Sequence, residues 1–125
     1  MTVNELLTES FPGNNRARIY RLMVDQIGSG PFDGGCIVFA RALQIKYGGE
    51  IVVLLRAETG RADHAAVKID DILIDADGPA NLTRFIHRFE KNERVKINGI
   101  RPIKSDDLPD AARNQQLSEV IAKLL

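Results

Sequence analysis

Apolar residues recur along this chain at two spacings, and the switches between them mark out its elements. Ile19, Leu22, Met23 and Ile27 stand three and four apart, while Arg16, Arg18 and Arg21 fall between them. That is the spacing of an amphipathic helix, and Asn14 or Asn15 is placed to cap it. Cys36 to Tyr47 is denser. Ile37, Val38, Phe39, Ala40, Ala42, Leu43 and Ile45 cover nearly the whole circumference, predicting a helix buried on most sides. Gly48-Gly49 ends it with residues suited to a left-handed cap. The run Glu50-Ile51-Val52-Val53-Leu54-Leu55-Arg56 is then β-branched and apolar, predicting a strand covered on both faces.

His64 to Ile69 and Ile72 to Asp75 predict a hairpin around Asp70-Asp71. Asn81 is placed to cap a helix with the stripe Leu82, Phe85, Ile86 and Phe89. Val95 to Ile103 predicts a last strand, with Pro102 marking it as an edge. A C-terminal helix is expected to bury Leu117, Val120, Ile121 and Leu124. At the other end, Thr2-Val3-Asn4-Glu5 has capping-box spacing and predicts a short helix before Pro12-Gly13. No repeat or linker divides the chain. The expectation is one α+β domain over 1–125: N-terminal helices and a Gly-rich loop over 1–35, a core over 36–103 and a C-terminal helix over 104–125.

Composition narrows the functional classes. The 125 residues suit one domain with one core, and 17 basic side chains balance 17 acidic ones. No net field selects nucleic acid or an anionic membrane. The single cysteine rules out an internal disulfide framework and fits a reducing compartment. The first ten residues lack the basic start and apolar stretch of a signal peptide, and no stretch approaches a membrane span. A cytoplasmic location is therefore expected.

That cysteine, Cys36, directly follows Gly34-Gly35 at a predicted helix start. A thiolate rather than a thiol is the nucleophile. The first helical turn offers unpaired N–H groups and the positive end of the dipole, both favouring an anion. The glycines let the backbone turn sharply and let a substrate approach, so Gly35 joins the candidate substrate or oxyanion residues. The Cys36 amide is a candidate donor to a developing oxyanion. Hairpin geometry then brings in a base. If Ile69 pairs with Ile72, Val67 faces Ile74, Ala66 faces Asp75 and His64 faces Asp77. His64, Asp75 and Asp77 would share one sheet face, with the direct partner about 5 Å away and the diagonal one about 7–8 Å. Either carboxylate is then within reach to orient the imidazole toward Cys36, the logic of a nucleophilic triad.

At these residues the chain resembles the transglutaminase-like and arylamine N-acetyltransferase branch of the papain-like cysteine enzymes. The pattern is carried by Gly35-Cys36, Ala40, Leu43 and Gly48-Gly49, then His64 with Val67, then Ile74-Asp75-Ala76. It is also similar to small bacterial single-domain proteins that keep a Gly-Gly-Cys, a Gly-Gly-Glu, a His strand and an Asp-Ala-x-Gly. The resemblance implies a Cys-bearing helix packed on a mainly antiparallel sheet, and acyl transfer or amide hydrolysis through a thioester. It maps nucleophile, base and orienting acid onto Cys36, His64 and Asp75, placing Asp75 ahead of Asp77. The aromatic that often follows the family histidine is Ala65 here, and Asp33 stands where the acetyltransferases carry an arginine. The expected substrates are a peptide, a protein or a small acyl compound, with no cofactor, nucleic acid or membrane partner.

Two further features bear on function. Gln26 lies upstream of the cysteine, where papain-like enzymes often place an oxyanion-hole amide. Between Arg84 and Lys104, seven basic residues outnumber Glu90 and Glu93. That segment supplies the alternative, a non-catalytic domain that binds a protein partner through it, although no aromatic stands there to stack a base. His87 falls opposite the apolar stripe and is expected to face water. Cys36, His64 and His87 have no close-spaced ligand pair, so no metal is expected. Gly28-Ser29-Gly30 lacks the lysine and spacing of a phosphate loop.

Overall fold

The computed structural model describes residues 15–32, 34–104, 107 and 114–125. The helix expected near Thr2 lies outside these. Helix α1 spans Arg16–Ile27 and α2 spans Cys36–Tyr47. Strands β1 (Glu50–Arg56), β2 (Ala62–Ile69), β3 (Ile72–Asp75) and β4 (Gly78–Asn81) follow. Helix α3 (Leu82–Glu93), strand β5 (Ile97–Pro102) and helix α4 (Gln115–Leu124) complete the described chain. The strands form one antiparallel sheet in the order β4-β3-β2-β1-β5. The expected α+β class holds.

Both faces of the sheet are covered. Ile51, Val53, Ala65, Val67, Ile72 and Ile74 pack with α1, α2 and α4, whose core side chains include Met23, Val38, Leu43 and Ile121. Val52, Leu54, Ala66 and Leu73 face the other way, onto Phe85 and Phe89 of α3. This alternation is the period-two signature of strands, run between two apolar layers. Pro79 and Pro102 sit on the two edge strands, where a missing N–H breaks no inner ladder.

The hairpin register agrees with the sequence: Ile69 pairs with Ile72 and Val67 with Ile74. Asp70 takes the left-handed turn conformation at φ 53°. Lys68 pairs with Leu73 between those two pairs, and the ladder ends at Val67–Ile74. The expected pairings of Ala66 with Asp75 and of His64 with Asp77 therefore do not form; on its other edge Asp75 pairs with Gly78 of β4. Strand β4 was not expected, since Asp77-Gly78-Pro79 reads locally as a turn. Strand β2 begins at Ala62, so His64 is its third residue rather than its first.

Three helix faces also differ from expectation. In α3 the stripe residue Leu82 is exposed, and only Phe85 and Phe89 of that stripe are fully buried. In α4 the buried residues are Leu117, Ser118, Ile121 and Ala122, while Val120 is exposed. Ser118 and Ala122 are small enough for α4 to lie close on α2, and the Ser118 hydroxyl donates to the Val38 carbonyl at 2.9 Å. In α2, Ile45 is exposed rather than buried. The cap of α1 is different too. Asn15 makes no side-chain cap bond, and its Nδ2 donates instead to the Leu124 carbonyl at 2.8 Å. Asn81 does cap α3, accepting from the Arg84 amide at 2.9 Å. Gly49, at φ 88°, is required where α2 turns into β1: a Cβ there would stand 2.6 Å from the Lys68 carbonyl oxygen.

Candidate functional site

Three separate elements bring Cys36, His64 and Asp75 to one corner. Cys36 is the first residue of α2, half-buried, and Gly35 before it makes no side-chain cap bond. The Gly35 N–H donates to the Gly30 carbonyl at 2.9 Å, and the helix proper opens with Phe39 N–H donating to the Gly35 carbonyl. The N–H groups of Cys36, Ile37 and Val38 therefore have no acceptor within the helix and point out of its first turn. A Cβ on Gly35 would meet the Gly30 oxygen and the Met23 side chain, both at 2.6 Å. Gly35 is thus a packing and turn residue whose amide is already engaged, which corrects its expected place among the oxyanion donors.

His64 and Asp75 are each 4% exposed, and Nε2 of the ring lies 2.9 Å from Asp75 Oδ2. Because a carboxylate only accepts, Nε2 carries the proton, and Nδ1 is left to face the Cys36 sulfur. Burial pulls the imidazole pKa down. Hydrogen bonds to Asp75 and Cys36, with the charges of the same two groups, outweigh it and raise the value from 6.5 to about 9. His64 is consequently an imidazolium at neutral pH. Phe32 stacks on one side of it with centroids 5.1 Å apart, and Phe89 on the other at 4.8 Å. Two aromatic faces suit a buried cation and fix the plane of the ring.

The carboxylate is held as firmly. Asp75 Oδ1 accepts from the Asp77 amide at 2.8 Å and from the Arg88 guanidinium at 3.3 Å. Arg88 also donates to the carbonyls of Gly78 at 2.8 Å and Asp77 at 3.3 Å, and lies over the Phe85 ring. It ties α3 to the β3–β4 connection. Every fully buried side-chain polar atom among the described residues has a partner.

Of the two candidate acids, Asp75 is the one bonded to His64. Asp77 turns away, its carboxylate pairing with Arg16 at 3.1 Å and Asn92 at 3.5 Å. Gln26 is not brought to this corner. It is exposed on α1, in a groove with Leu22, Asn114 and Leu117 between α1 and α4. Sequence reasoning missed Phe32, Phe89 and Arg88 as part of the site. Phe89 was read only as core and Arg88 only as surface charge, and neither residue carries a local signal of what it meets across the fold.

The basic segment is less uniform than its composition suggests. Arg88 is engaged as described, and Arg101 is paired with Asp107 at 2.7 and 2.9 Å. Arg101 beside it holds the Asp107 carboxyl down at about 2. Lys91, Arg94 and Lys96 remain exposed and line a groove of about 660 Å³ with His87, Arg56, Glu58 and Glu90. His87 faces water as expected. Among the described residues no three His, Cys, Asp or Glu side chains gather to hold a metal ion, and no helix is long and apolar enough to cross a membrane.

The chain was compared with protein-family models, curated proteins and solved structures, and no match was found in any of the three.

Proposed function

We propose that this protein is a thiol-dependent hydrolase or acyltransferase, acting on an amide, isopeptide or thioester, with a papain-like or transglutaminase-like arrangement of its core. The observation that carries the reading is the buried His64–Asp75 pair, 2.9 Å apart, whose free ring nitrogen is turned to Cys36 at an uncapped helix start. An imidazolium beside sulfur and the positive end of α2 both favour a thiolate. The sulfur attacks the carbonyl carbon, forming a C–S bond and placing the electron pair on oxygen. The Cys36 amide, which has no acceptor within the helix, is the proposed donor for that oxyanion. His64 gives its proton to the leaving amine or thiol as the bond to it breaks, leaving an acyl thioester. Neutral His64 then takes a proton from water or an acceptor amine, which attacks the thioester and returns the thiolate–imidazolium pair. Asp75 holds the ring in place and stabilises its charge throughout.

The test is the rate of Cys36 alkylation by iodoacetamide against pH. The expected result is fast alkylation at pH 6, slowed about 10- to 100-fold by His64→Ala. Slow alkylation at pH 6 that ignores the substitution would overturn the reading.

The second reading is a non-catalytic domain that binds an acidic protein partner. It is favoured by the open groove carrying Lys91, Arg94 and Lys96. Lys91→Glu with Lys96→Glu tests it without disturbing Asp75. Unchanged binding of a poly-glutamate peptide would remove its support.

A further inference from the structure

Beside the corner lies a small, largely enclosed pocket of about 70 Å³, lined by Ile19, Tyr20, Pro31, Phe32, Phe39 and Ala76, with Arg16. Its walls are neighbours of all three candidate catalytic groups. Phe32, one of its walls, stacks on the His64 ring with centroids 5.1 Å apart. Phe39 is three residues after Cys36 in α2, and a helical side chain leans back over the turn before it, here the turn of Cys36. Ala76 follows Asp75 directly. Arg16 is anchored by Asp77 at 3.1 Å with its side chain 60% exposed, and Tyr20 is 47% exposed, so these two form the mouth.

We infer that this pocket is the specificity subsite of the proposed thiol chemistry and takes one short aliphatic side chain, up to the size of valine, on the residue next to the carbonyl attacked by Cys36. The inference rests on that proposed chemistry and adds the class of substrate. Size decides the occupant. A cavity of about 150 Å³ holds benzene, so half that space holds three or four carbons and excludes an aromatic ring. The lining decides the chemistry, since all its walls but Arg16 and the Tyr20 hydroxyl are apolar. Arg16, at the rim, is placed to donate to a backbone carbonyl of the neighbouring substrate residue.

The test uses N-acetyl-glycyl-Xaa chloromethyl ketones, in which Xaa carries the ketone, with Xaa as Gly, Ala, Val, Leu or Phe. The Cys36 sulfur bonds to the methylene carbon as the C–Cl bond breaks and chloride leaves. The readout is the second-order rate of mass adduct formation on the full chain. Inactivation is expected to peak at Val, about tenfold or more above Gly, with Phe no better than Gly. Tyr20→Ala, an exposed position, is expected to widen the mouth and raise the Phe reagent at least to the level of Val. A flat series, or a steady rise to Phe in the unaltered protein, would overturn the subsite. The iodoacetamide rate measured alongside reports separately on the thiol. If it still depends on His64 while the series is flat, only the subsite is lost; if it ignores His64, the chemistry itself fails.

Discussion

Two charged regions lie on either side of α3, and they handle charge in opposite ways. At the corner, His64, Asp75 and Arg88 are locked into a chain of bonds at 2.9 and 3.3 Å, with the imidazole and carboxylate almost sealed from water. In the groove, Lys91, Arg94 and Lys96 stand in solvent. Taking charges out of water is costly and is sustained only by close, well-directed partners. Solvated charges contribute little to stability one by one. A chain that keeps an imidazolium between two phenylalanines has a use for its placement, whereas a solvated basic face needs no such explanation. The contrast favours the corner as the working site.

The largest expected effect is at Asp75. Asp75→Ala leaves His64 buried without its acceptor and is expected to cost about 3 kcal/mol, read as a shift of the urea midpoint at pH 6. If the loss is no larger than that of an exposed carboxylate, the corner is not the organised region described. Stability should also depend on pH. The folded chain holds the His64 proton to about 9, while the unfolded chain releases it near 6.5. The contribution is therefore complete below about pH 6.5 and is lost as pH rises through 9, on the order of 3 kcal/mol in all. Denaturation series at pH 6 and 9.5 measure it, and Asp75→Ala should flatten the dependence. Direct NMR titration of the His64 ring locates the same event.

Arg88→Gln comes next, at about 2 kcal/mol, because three acceptors lose a charged donor. It should also slow Cys36 alkylation, which a purely surface arginine would not do. The smallest effect is in the groove. Lys91→Glu with Lys96→Glu should stay within about 0.5 kcal/mol and leave alkylation untouched. A larger change there would erase the distinction between the two regions.

Much of this organisation was legible in the sequence wherever the information is local. The ends of α2 and β1 follow from apolar density bounded by glycines, and the hairpin register follows from a two-residue turn. The order Cys36, His64, Asp75 pointed to one corner because a helix start and two adjacent strands can place side chains together. What could not be read was non-local or ambiguous. Strand β4 hides behind Gly78-Pro79, which has turn chemistry, and pairs only because β3 lies beside it. The stripe of α4 was misassigned because Ser118 and Ala122 are buried for their small size rather than their hydrophobicity. Arg88 and Phe32 meet Asp75 and His64 across 13 and 32 residues of chain, and nothing in their immediate neighbours records it.

The prolines at the two rims of the sheet have a consequence for association. Each removes a donor where another polypeptide would have to add itself in register. Edge-to-edge addition of a further strand would therefore lack one ladder bond at each rim.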